Sequence, residues 1–434
     1  MILHSVQGKG IAGLAARAGT ILSRFGPTPE RINRCLDRYI QVTDAFGVRS
    51  TLCVTASILA RHPDYLRGLY ERGTELAIHG LVHVDHRSLS VDEQERSIAR
   101  AGEIFRQAGI QSRGFRAPYL RFSEATDQAL RRLDVSYHSS QAVAFSEVLN
   151  GAASLGGYHR ALDYYRAADS RLIAVRPRNR DGLMHIPVAL PDDEIMVDRL
   201  RLTSREQAGA WLAILETTHR NGELFTLQLH PERIFDAEEA LWTVLREARR
   251  RRPQIWLAAL DEIADWWRRR GEYRISVDPA ADGYRVRLEA GADATLLVRG
   301  LRDVPAVPWY GRDAVSERRD FVVAGGRKPV VGMSERTPSG VAAFVAEEGW
   351  PIERSDTPAE FGAYLDIGGA HWEERAILDR LEQAPGPLVR LWRWPRAARS
   401  ALAVTGDIDS LTLQDFAVRL YEGSAAGWAR AIRG

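Results

Sequence analysis

Lysine is almost absent from this chain of 434 residues, and cysteine is equally rare. The two cysteines, Cys35 and Cys53, lie in a helical and a strand pattern among core-type residues, so we expect reduced packing residues rather than a disulfide or a metal pair. No window comes near the roughly 18 uncharged apolar residues that span a membrane. Acids and bases are nearly balanced, with a formal net charge of +2, which excludes the charge pattern of a nucleic-acid or membrane-surface protein.

The amino terminus also lacks a charged leader followed by an apolar block and a cleavage signature, so we expect a cytoplasmic protein. What the chain does have is apolar content and length. It is 45% hydrophobic, and at roughly 100–200 residues per domain it is long enough for two or three domains.

Strand-like and helix-like segments alternate from Thr28 to Gly271. This alternation predicts an α/β fold, either a parallel sheet or a barrel with helices outside. Beyond Gly271 the pattern changes to antiparallel β alternation and then to a small α/β unit. We therefore divide the chain into a main unit 1–271, a small antiparallel β region 272–325, a small α/β domain 326–395 and a final strand and helix 396–434.

Two histidines, His79 and His83, lie four residues apart in the segment HGLVH, directly after a predicted strand. A helical turn there would place both imidazoles on one side, where they would share one metal. The alternative is a pair of surface histidines. His86 lies just beyond them. It is either a third metal ligand or, as is more common for such a residue, part of a loop.

Polar residues also follow other predicted strands. In the segment GFRAPYL, the guanidinium of Arg116 suits the orientation of a carboxylate. A backbone N–H of the same loop, which includes Tyr119, suits the stabilisation of an oxyanion. His230 ends an apolar strand, where it suits a general acid, although a satisfied core histidine is the commoner case. Asp192 and Asp193 either orient that histidine or form a helix cap or a solvated turn.

Near the end of the chain, the segment VTGDIDSLT places Asp407 and Asp409 at the carboxyl end of a predicted buried strand. Paired carboxylates in such a position usually serve a metal or a proton transfer. No partner motif lies nearby in sequence.

The order HGLVH, RAPY and a strand that ends in histidine resembles the polysaccharide deacetylase family, the NodB-homology group of carbohydrate esterase family four. The resemblance covers about Thr28 to Gly271. It implies a distorted β/α barrel that removes acetyl groups from N-acetylated sugars with a divalent metal, usually zinc, and no other cofactor. Members of this family carry an Asp-Asp or Asp-x-Asp motif on the first barrel strand, ahead of the histidines.

No such motif precedes His79, because Glu30, Asp37 and Asp44 lie within or at the start of a predicted helix. We therefore predict a circular permutation, in which 396–434 supplies the first strand and helix of the deacetylase barrel. The β and α/β regions between 272 and 395 would then form an insert.

The resemblance makes Asp407 the catalytic base. It makes Asp409, His79 and His83 the ligands of a divalent metal, most simply Zn2+, whose bound water is the nucleophile. The remaining roles are also implied by the resemblance: Arg116 steadies Asp407, the Tyr119 N–H shares the oxyanion with the metal, and His230 protonates the leaving amine.

Three positions depart from the family pattern. Gly80 follows the first histidine in place of Ser or Thr, and Gln228 begins Gln-Leu-His in place of Leu-x-His. His138 stands where relatives often carry Asp, so the acid behind the catalytic histidine would come from Asp192 or Asp193.

The resemblance implies a metal-dependent hydrolase that deacetylates a sugar, glycoside or glycan precursor. The alternatives are a related C–N hydrolase of a non-sugar amide or cyclic imide, a catalytically silent carbohydrate-binding protein, and a truncated second deacetylase unit that begins at GDID. A cytoplasmic location favours a nucleotide-linked, lipid-linked or small-molecule glycoside. Trp309, Trp392 and Trp394 provide either sugar-stacking faces or, more commonly, packing.

Overall fold

The computed structural model describes residues 24–145, 156–369 and 371–424, together with Trp428 and Ala431. Its strands, in chain order, are β1 (Thr51–Val54), β2 (Glu75–Ile78), β3 (Gly114–Phe115), β4 (Tyr137–His138), β5 (Ala142–Ala144), β6 (Ala168–Asp169), β7 (Arg178–Arg180), β8 (Leu183–His185), β9 (Val188–Leu190), β10 (Leu224–Gln228), β11 (Ile255–Leu257), β12 (Arg274–Ala280), β13 (Gly283–Glu289), β14 (Leu296–Arg299), β15 (Ala306–Tyr310), β16 (Asp313–Ser316), β17 (Asp320–Ala324), β18 (Lys328–Met333), β19 (Ile352–Arg354), β20 (Phe361–Leu365), β21 (Leu388–Leu391) and β22 (Ser400–Ile408). Its helices are α1 (Glu30–Asp44), α2 (Ala56–Arg61), α3 (Pro63–Glu71), α4 (Val91–Gln107), α5 (Glu124–Arg132), α6 (Gly156–Tyr165), α7 (Ser204–Asn221), α8 (Ile234–Arg250), α9 (Leu260–Glu272), α10 (Ser339–Glu347), α11 (Glu374–Gln383) and α12 (Leu413–Glu422).

Two helix ends illustrate how local chemistry sets the bounds of these elements. At the start of α4, the Ser90 hydroxyl accepts from the Glu93 N–H and the Glu93 carboxylate accepts from the Ser90 N–H, which satisfies amides of the first turn. At the end of α7, Gly222 adopts the left-handed conformation, with φ of 68°. The face of α1 that the sequence predicts as apolar is buried, and it includes Ile32, Leu36, Tyr39, Ile40 and Thr43.

Nine strands form the main sheet, in the order β10-β22-β1-β2-β3-β4-β8-β7, and β11 also pairs with β22. Neighbouring strands run parallel except β7 and β8. The sheet curls into a half-barrel and alternates with helices along the chain. The predicted α/β fold is therefore confirmed.

Strand β22 lies inside this sheet, between β1 and β10. Asp407 is opposite Cys53 of β1, and Thr405 is opposite Gln228 of β10. All nine residues of the strand are buried. The segment is therefore an internal strand of the main sheet rather than the beginning of a separate unit.

The carboxyl ends of parallel strands meet at one edge of a sheet, and in this fold class that edge holds the functional groups. Asp409 comes directly after β22, His79 after β2 and Arg116 after β3, while His230 lies two residues beyond β10. Four strands that are distant in sequence therefore deliver polar side chains to the same edge.

The remaining strands form four smaller sheets. One is parallel (β6-β5-β9), two are antiparallel (β12-β13-β17 and β15-β16-β14-β21), and one is parallel (β19-β18-β20). Strand β21, from the range 326–395, pairs with β14, from the range 272–325. The two ranges that the sequence divides into separate units thus share one sheet, a pairing that sequence periodicity does not reveal.

Tryptophans pack the region before β22 against the main sheet. The indole N–H of Trp266 donates to the Arg393 carbonyl at 2.7 Å, and that of Trp394 donates to the Gly222 carbonyl at 2.9 Å. Trp392 and Trp394 are fully buried, so both are packing residues, while the half-buried Trp309 lies edge-on to Trp392. Neither the Trp392 ring nor the Trp394 ring has an exposed face on which a sugar could stack.

Cys35 and Cys53 are buried free thiols. None of the helices in the described ranges combines the length and apolar character that a membrane crossing requires.

Candidate active site

The carboxylate of Asp407 lies at the end of β22, held by one donor on each oxygen. Its Oδ1 accepts from the Arg116 guanidinium at 2.9 Å, and its Oδ2 accepts from the Gln228 side-chain amide at 2.9 Å. Burial favours the neutral carboxyl, but Arg116, His79 and His230 together outweigh burial and lower the pKa of Asp407. The side chain is therefore a fixed, ionised carboxylate.

Arg116 is itself completely buried, and every part of its guanidinium is bound. Nε donates to the Ser139 carbonyl at 2.9 Å, Nη2 to the Ser139 hydroxyl at 3.1 Å, and Nη1 to the Thr405 hydroxyl at 3.1 Å. A guanidinium that is fixed in this way can orient only one carboxylate, and here that carboxylate is Asp407.

His79, His83 and Asp409 form a second arrangement at the same edge, which we name the Asp409 cluster. His79 Nε2 lies 3.5 Å from Asp409 Oδ1, and His83 Nε2 lies 3.4 Å from Asp409 Oδ2. His79 Nδ1 lies 2.9 Å from the carbonyl oxygen of Arg116. A carbonyl oxygen only accepts, so Nδ1 carries the proton and Nε2 presents its lone pair to the cluster.

This donor set fits a divalent metal. Ligands about 2.0–2.1 Å from a tetrahedral zinc ion lie about 3.3 Å from one another, close to the distances within the Asp409 cluster. The Oδ1 atom of Asp409 is buried with no hydrogen-bond partner among the described residues, as expected of an atom that serves as a metal ligand. Asp407 Oδ2 is farther from His79 Nε2, at 3.8 Å, and its oxygens are already bound.

Arg419, on α12, also reaches this cluster. Its Nη1 lies 2.9 Å from Asp409 Oδ2, and its Nη2 lies 3.0 Å from Nδ1 and 3.2 Å from Nε2 of His83. Burial and the charge of Arg419 lower the pKa of His83 well below its usual value. Burial favours neutral Asp409, but Arg419 and the nearby imidazoles outweigh burial and lower its pKa. Neutral imidazole and ionised carboxylate are the forms that bind a metal.

His230 faces the site from β10 and is oriented by one of the two predicted acids. Its Nδ1 lies 2.8 Å from Asp193 Oδ1. Burial disfavours the imidazolium, but Asp193 outweighs burial and raises the pKa of His230 to about 10. The other acid, Asp192, accepts the Ile195 N–H at 2.9 Å and therefore caps a turn. The sequence left these two roles open for both residues, and the structure gives one role to each.

Tyr119 lies in a strained loop beside the cluster. Tyr119 and Leu120 both have positive φ, 61° and 53°. The loop is anchored by the Ala117 N–H, which donates to the Ser140 hydroxyl at 2.7 Å. The Tyr119 ring packs edge-on against His83, with ring centroids 4.2 Å apart. The residue predicted to provide an N–H donor thus borders the ligand set.

Two further histidines predicted near the site do not join it. His86 is buried, and its Nδ1 lies 3.2 Å from the Gln94 side-chain oxygen. Gly80, which replaces the Ser or Thr of the family pattern, has φ of +82°, and a Cβ there would meet His86 Nε2 at 3.2 Å. His86 therefore occupies the space beside Gly80. His138 belongs to a different cluster, described below.

Two residues that contact the site were not recognised as functional from the sequence. Gln228 stood out only as a departure from the family pattern, yet its amide binds Asp407. Arg419 gave no signal, because it is one of many arginines on a helix.

Part of the chain is similar to a known protein family. Residues 19–138 match the family model described as polysaccharide deacetylase. This segment of the chain is therefore similar to polysaccharide deacetylases. The resemblance predicted from HGLVH and RAPY is confirmed, whereas His230, Asp407 and Asp409 lie outside the matched segment.

Solved structures that resemble the chain include a protein described as a polysaccharide deacetylase from Mycobacterium smegmatis (20% identity, 60% of this chain and 86% of that chain, TM-score 0.43). They also include Puue allantoinase (16% identity, 54% and 72%, TM-score 0.41). A third is the peptidoglycan deacetylase PdaC from Bacillus subtilis (15% identity, 57% and 90%, TM-score 0.33).

Proposed function

We propose that this protein is a metal-dependent hydrolase that removes the N-acetyl group of a sugar, glycoside or glycan precursor. One observation carries the proposal. A fixed ionised carboxylate, a His-His-Asp ligand set and a protonated histidine converge on one edge of the main sheet, in a chain with a segment similar to polysaccharide deacetylases.

Asp409, His79 and His83 would hold the ion, which we take to be Zn2+. When bound, such an ion supplies Lewis-acid polarisation of the acyl carbonyl and lowers the pKa of water. The lowered pKa values of His83 and Asp409 favour the neutral imidazole and the ionised carboxylate that binding requires.

Asp407 acts as the general base. Its carboxylate takes the proton from the attacking water, because Arg116 and Gln228 keep it ionised and aimed at the site. The Tyr119 backbone N–H, at the strained turn, stabilises the negative charge that develops on the carbonyl oxygen.

His230 acts as the general acid. Asp193 holds its imidazolium form, so a proton is available for the leaving amine at neutral pH. The arrangement separates the two proton-transfer roles, because Arg116 lowers the pKa of the base and Asp193 raises the pKa of the acid.

We also propose that the chain is a circular permutation of the family fold, with β22 in the position of the first barrel strand. Its support is the pairing of β22 with both β1 and β10 in the main sheet. A rearranged chain, in which residues 396–434 precede residue 1 and residue 395 comes last, should bind metal and retain turnover. A rearranged chain that folds, by circular dichroism, yet binds no metal would contradict the permutation.

The main test measures hydrolysis of a panel of substrates by protein loaded with zinc, as acetate release from the N-acetyl substrates and as ring opening of a cyclic imide. The panel contains a nucleotide-linked N-acetyl sugar, a chitin oligosaccharide, a simple N-acetyl glycoside and a cyclic imide. We expect release from at least one N-acetyl sugar, its loss on chelation, and its return with zinc.

The variant Asp409→Ala should lose both the metal of the cluster and turnover. Asp265→Ala, which removes a carboxylate paired with the partly exposed arginines Arg113 and Arg268, is the control and should retain both. Turnover of the cyclic imide alone would identify the related C–N hydrolase. A folded, zinc-loaded protein that is inactive on every substrate would overturn the enzymatic proposal.

A further inference from the structure

A second set of two imidazoles and one carboxylate lies at the carboxyl ends of β4 and β8 of the main sheet. We name Asp127, His138 and His185 the Asp127 cluster. Asp127 lies on α5, while His138 ends β4 and His185 ends β8. The two histidines are opposite each other in the parallel pairing of these strands. All three side chains are buried, with exposures of 4%, 1% and 6%.

The donor atoms of this cluster face one another at distances longer than those of ordinary charged hydrogen bonds. His138 Nδ1 lies 3.3 Å from Asp127 Oδ1, and His185 Nε2 lies 3.5 Å from Asp127 Oδ2. Among the described residues, Asp127 Oδ1, both ring nitrogens of His138 and Nε2 of His185 have no hydrogen-bond partner. Buried polar atoms are nearly always paired in native proteins, so this concentration of unpaired donors and acceptors requires an explanation.

A metal ion gives that explanation. Ligands of a tetrahedral zinc ion lie about 3.3 Å apart, which matches both distances in the cluster. The same pattern is present in the Asp409 cluster, where each oxygen of one aspartate faces a different histidine.

The surroundings of the Asp127 cluster are apolar. The Phe122 ring lies edge-on to His138, with centroids 4.6 Å apart, and Phe115 lies 5.9 Å from the same ring. The Phe122 ring is also 6.2 Å from His185. Three protein ligands leave one position of a tetrahedral ion for water, and the phenylalanine rings limit access to it.

We propose that Asp127, His138 and His185 bind a second divalent metal, of the zinc type, which fixes α5 to strands β4 and β8. These strands have two and three residues, so few backbone hydrogen bonds hold this part of the sheet. The ion would add a link between the helix and the two strands. The proposal rests on this geometry alone and does not depend on the proposed activity.

The test counts metal ions bound to the full chain after zinc loading and gel filtration. We expect about two per chain in the unaltered protein, about one in Asp409→Ala, about one in His185→Gln and about none in the double variant. The control His86→Gln removes a buried histidine whose Nε2 is also unpaired but which has no carboxylate across from it, and it should keep both ions.

Two further measurements keep the proposal testable if His185→Gln does not fold. Cobalt-loaded Asp409→Ala should show the visible absorption of a tetrahedral site, because only the Asp127 cluster remains. Chelation should lower the thermal midpoint of Asp409→Ala but not that of a folded His185→Gln, Asp409→Ala double variant. A folded Asp409→Ala protein that binds no zinc or cobalt overturns the proposal, as does a folded His185→Gln protein that still binds two.

Discussion

The Asp409 cluster and the Asp127 cluster have the same donors in different surroundings. Each places two imidazoles 3.3–3.5 Å from the oxygens of one aspartate. Both clusters lie at carboxyl ends of strands of the main sheet, and Asp407, His230 and Arg419 influence the charge of the Asp409 cluster. The Asp127 cluster lies among phenylalanine rings. The ligand set alone therefore does not identify a catalytic centre.

The neighbours of each ligand set make the difference. Next to the Asp409 cluster, a carboxylate and an imidazole are held in opposite protonation states by Arg116 and Asp193. Such pairs, pushed apart in pKa by their environments, mark acid and base roles. Variants that change these neighbours should affect turnover, and variants in the Asp127 cluster should affect stability.

The largest effect is expected for Asp407→Asn. The amide is nearly isosteric but takes no proton, so kcat should fall by about 10²–10⁴-fold, the usual contribution of a general base. Zinc should remain bound, because Asp407 is not part of the ligand set. Steady-state acetate release and metal analysis of the same sample measure both.

Asp127→Asn is the matched comparison for that variant. It changes the buried aspartate of the other cluster, and we expect turnover within about threefold of the unaltered protein well below its unfolding temperature. Equal losses of turnover in the two variants would erase the proposed distinction between the clusters.

The second-largest effect is expected for Asp193→Asn, which acts on the proposed general acid, His230. Asp193→Asn removes the charge that keeps His230 protonated, so the pKa of His230 should fall. An acid is active while it is protonated, so the alkaline limb of the pH profile of kcat should move to lower pH. We expect activity at pH 8 to fall by about tenfold or more.

Asp192→Asn is the control for this shift. Asp192 is the adjacent buried acid, but it accepts the Ile195 N–H and does not bind His230. Its alkaline limb should stay close to that of the unaltered protein. An unchanged limb in Asp193→Asn would show that His230 is not the acid that limits the reaction at high pH.

Parts of this site could be predicted from the sequence, because they depend on strands. His79, Arg116, His230 and Asp409 each follow an apolar segment, and parallel strands bring such positions to one edge whatever their distance in sequence. That rule does not need strand order. The association of Asp409 with His79, which lies 330 residues earlier in the numbering, came from the family resemblance, and the strand-edge rule is consistent with it.

The rest of the site and of the fold could not be predicted from the sequence, because it depends on which side chains face each other in the folded chain. His138 and His185 meet only because β4 pairs with β8 in one register, and the sequence does not show that pairing. Arg419 lies six residues into α12, and its reach to the Asp409 cluster depends on how that helix packs. The sharing of a sheet by β14 and β21 is hidden for the same reason.

A smaller effect is expected for Arg419→Gln. The guanidinium contacts Asp409 Oδ2 and both ring nitrogens of His83, so it competes with a metal for the same atoms and repels its charge. Removing that charge should tighten zinc binding by about tenfold, as judged from competition with a chromophoric chelator. Arg61→Gln, which removes an arginine bound to Asp415 of the same helix, should leave zinc affinity unchanged. Weaker zinc binding in Arg419→Gln would show that the arginine supports the ligand set rather than competing for it.

The smallest effect is expected for Gln228→Leu, which introduces the residue of the family pattern. Leucine cannot donate to Asp407 Oδ2, so the ionised carboxylate loses one of its two side-chain donors and its pKa should rise. A base is active while it is ionised, so the acid limb of the kcat profile should move to higher pH. Activity on the plateau should change by less than about threefold, because Arg116 still orients the carboxylate. Gln207→Leu, which removes another buried glutamine, one bound to the Leu202 carbonyl, should leave the acid limb in place. An equal shift of the acid limb in both variants would reflect general destabilisation. A shift in Gln228→Leu alone would show that the Gln228 amide lowers the pKa of Asp407, at the one position where this chain departs from the Leu-x-His pattern.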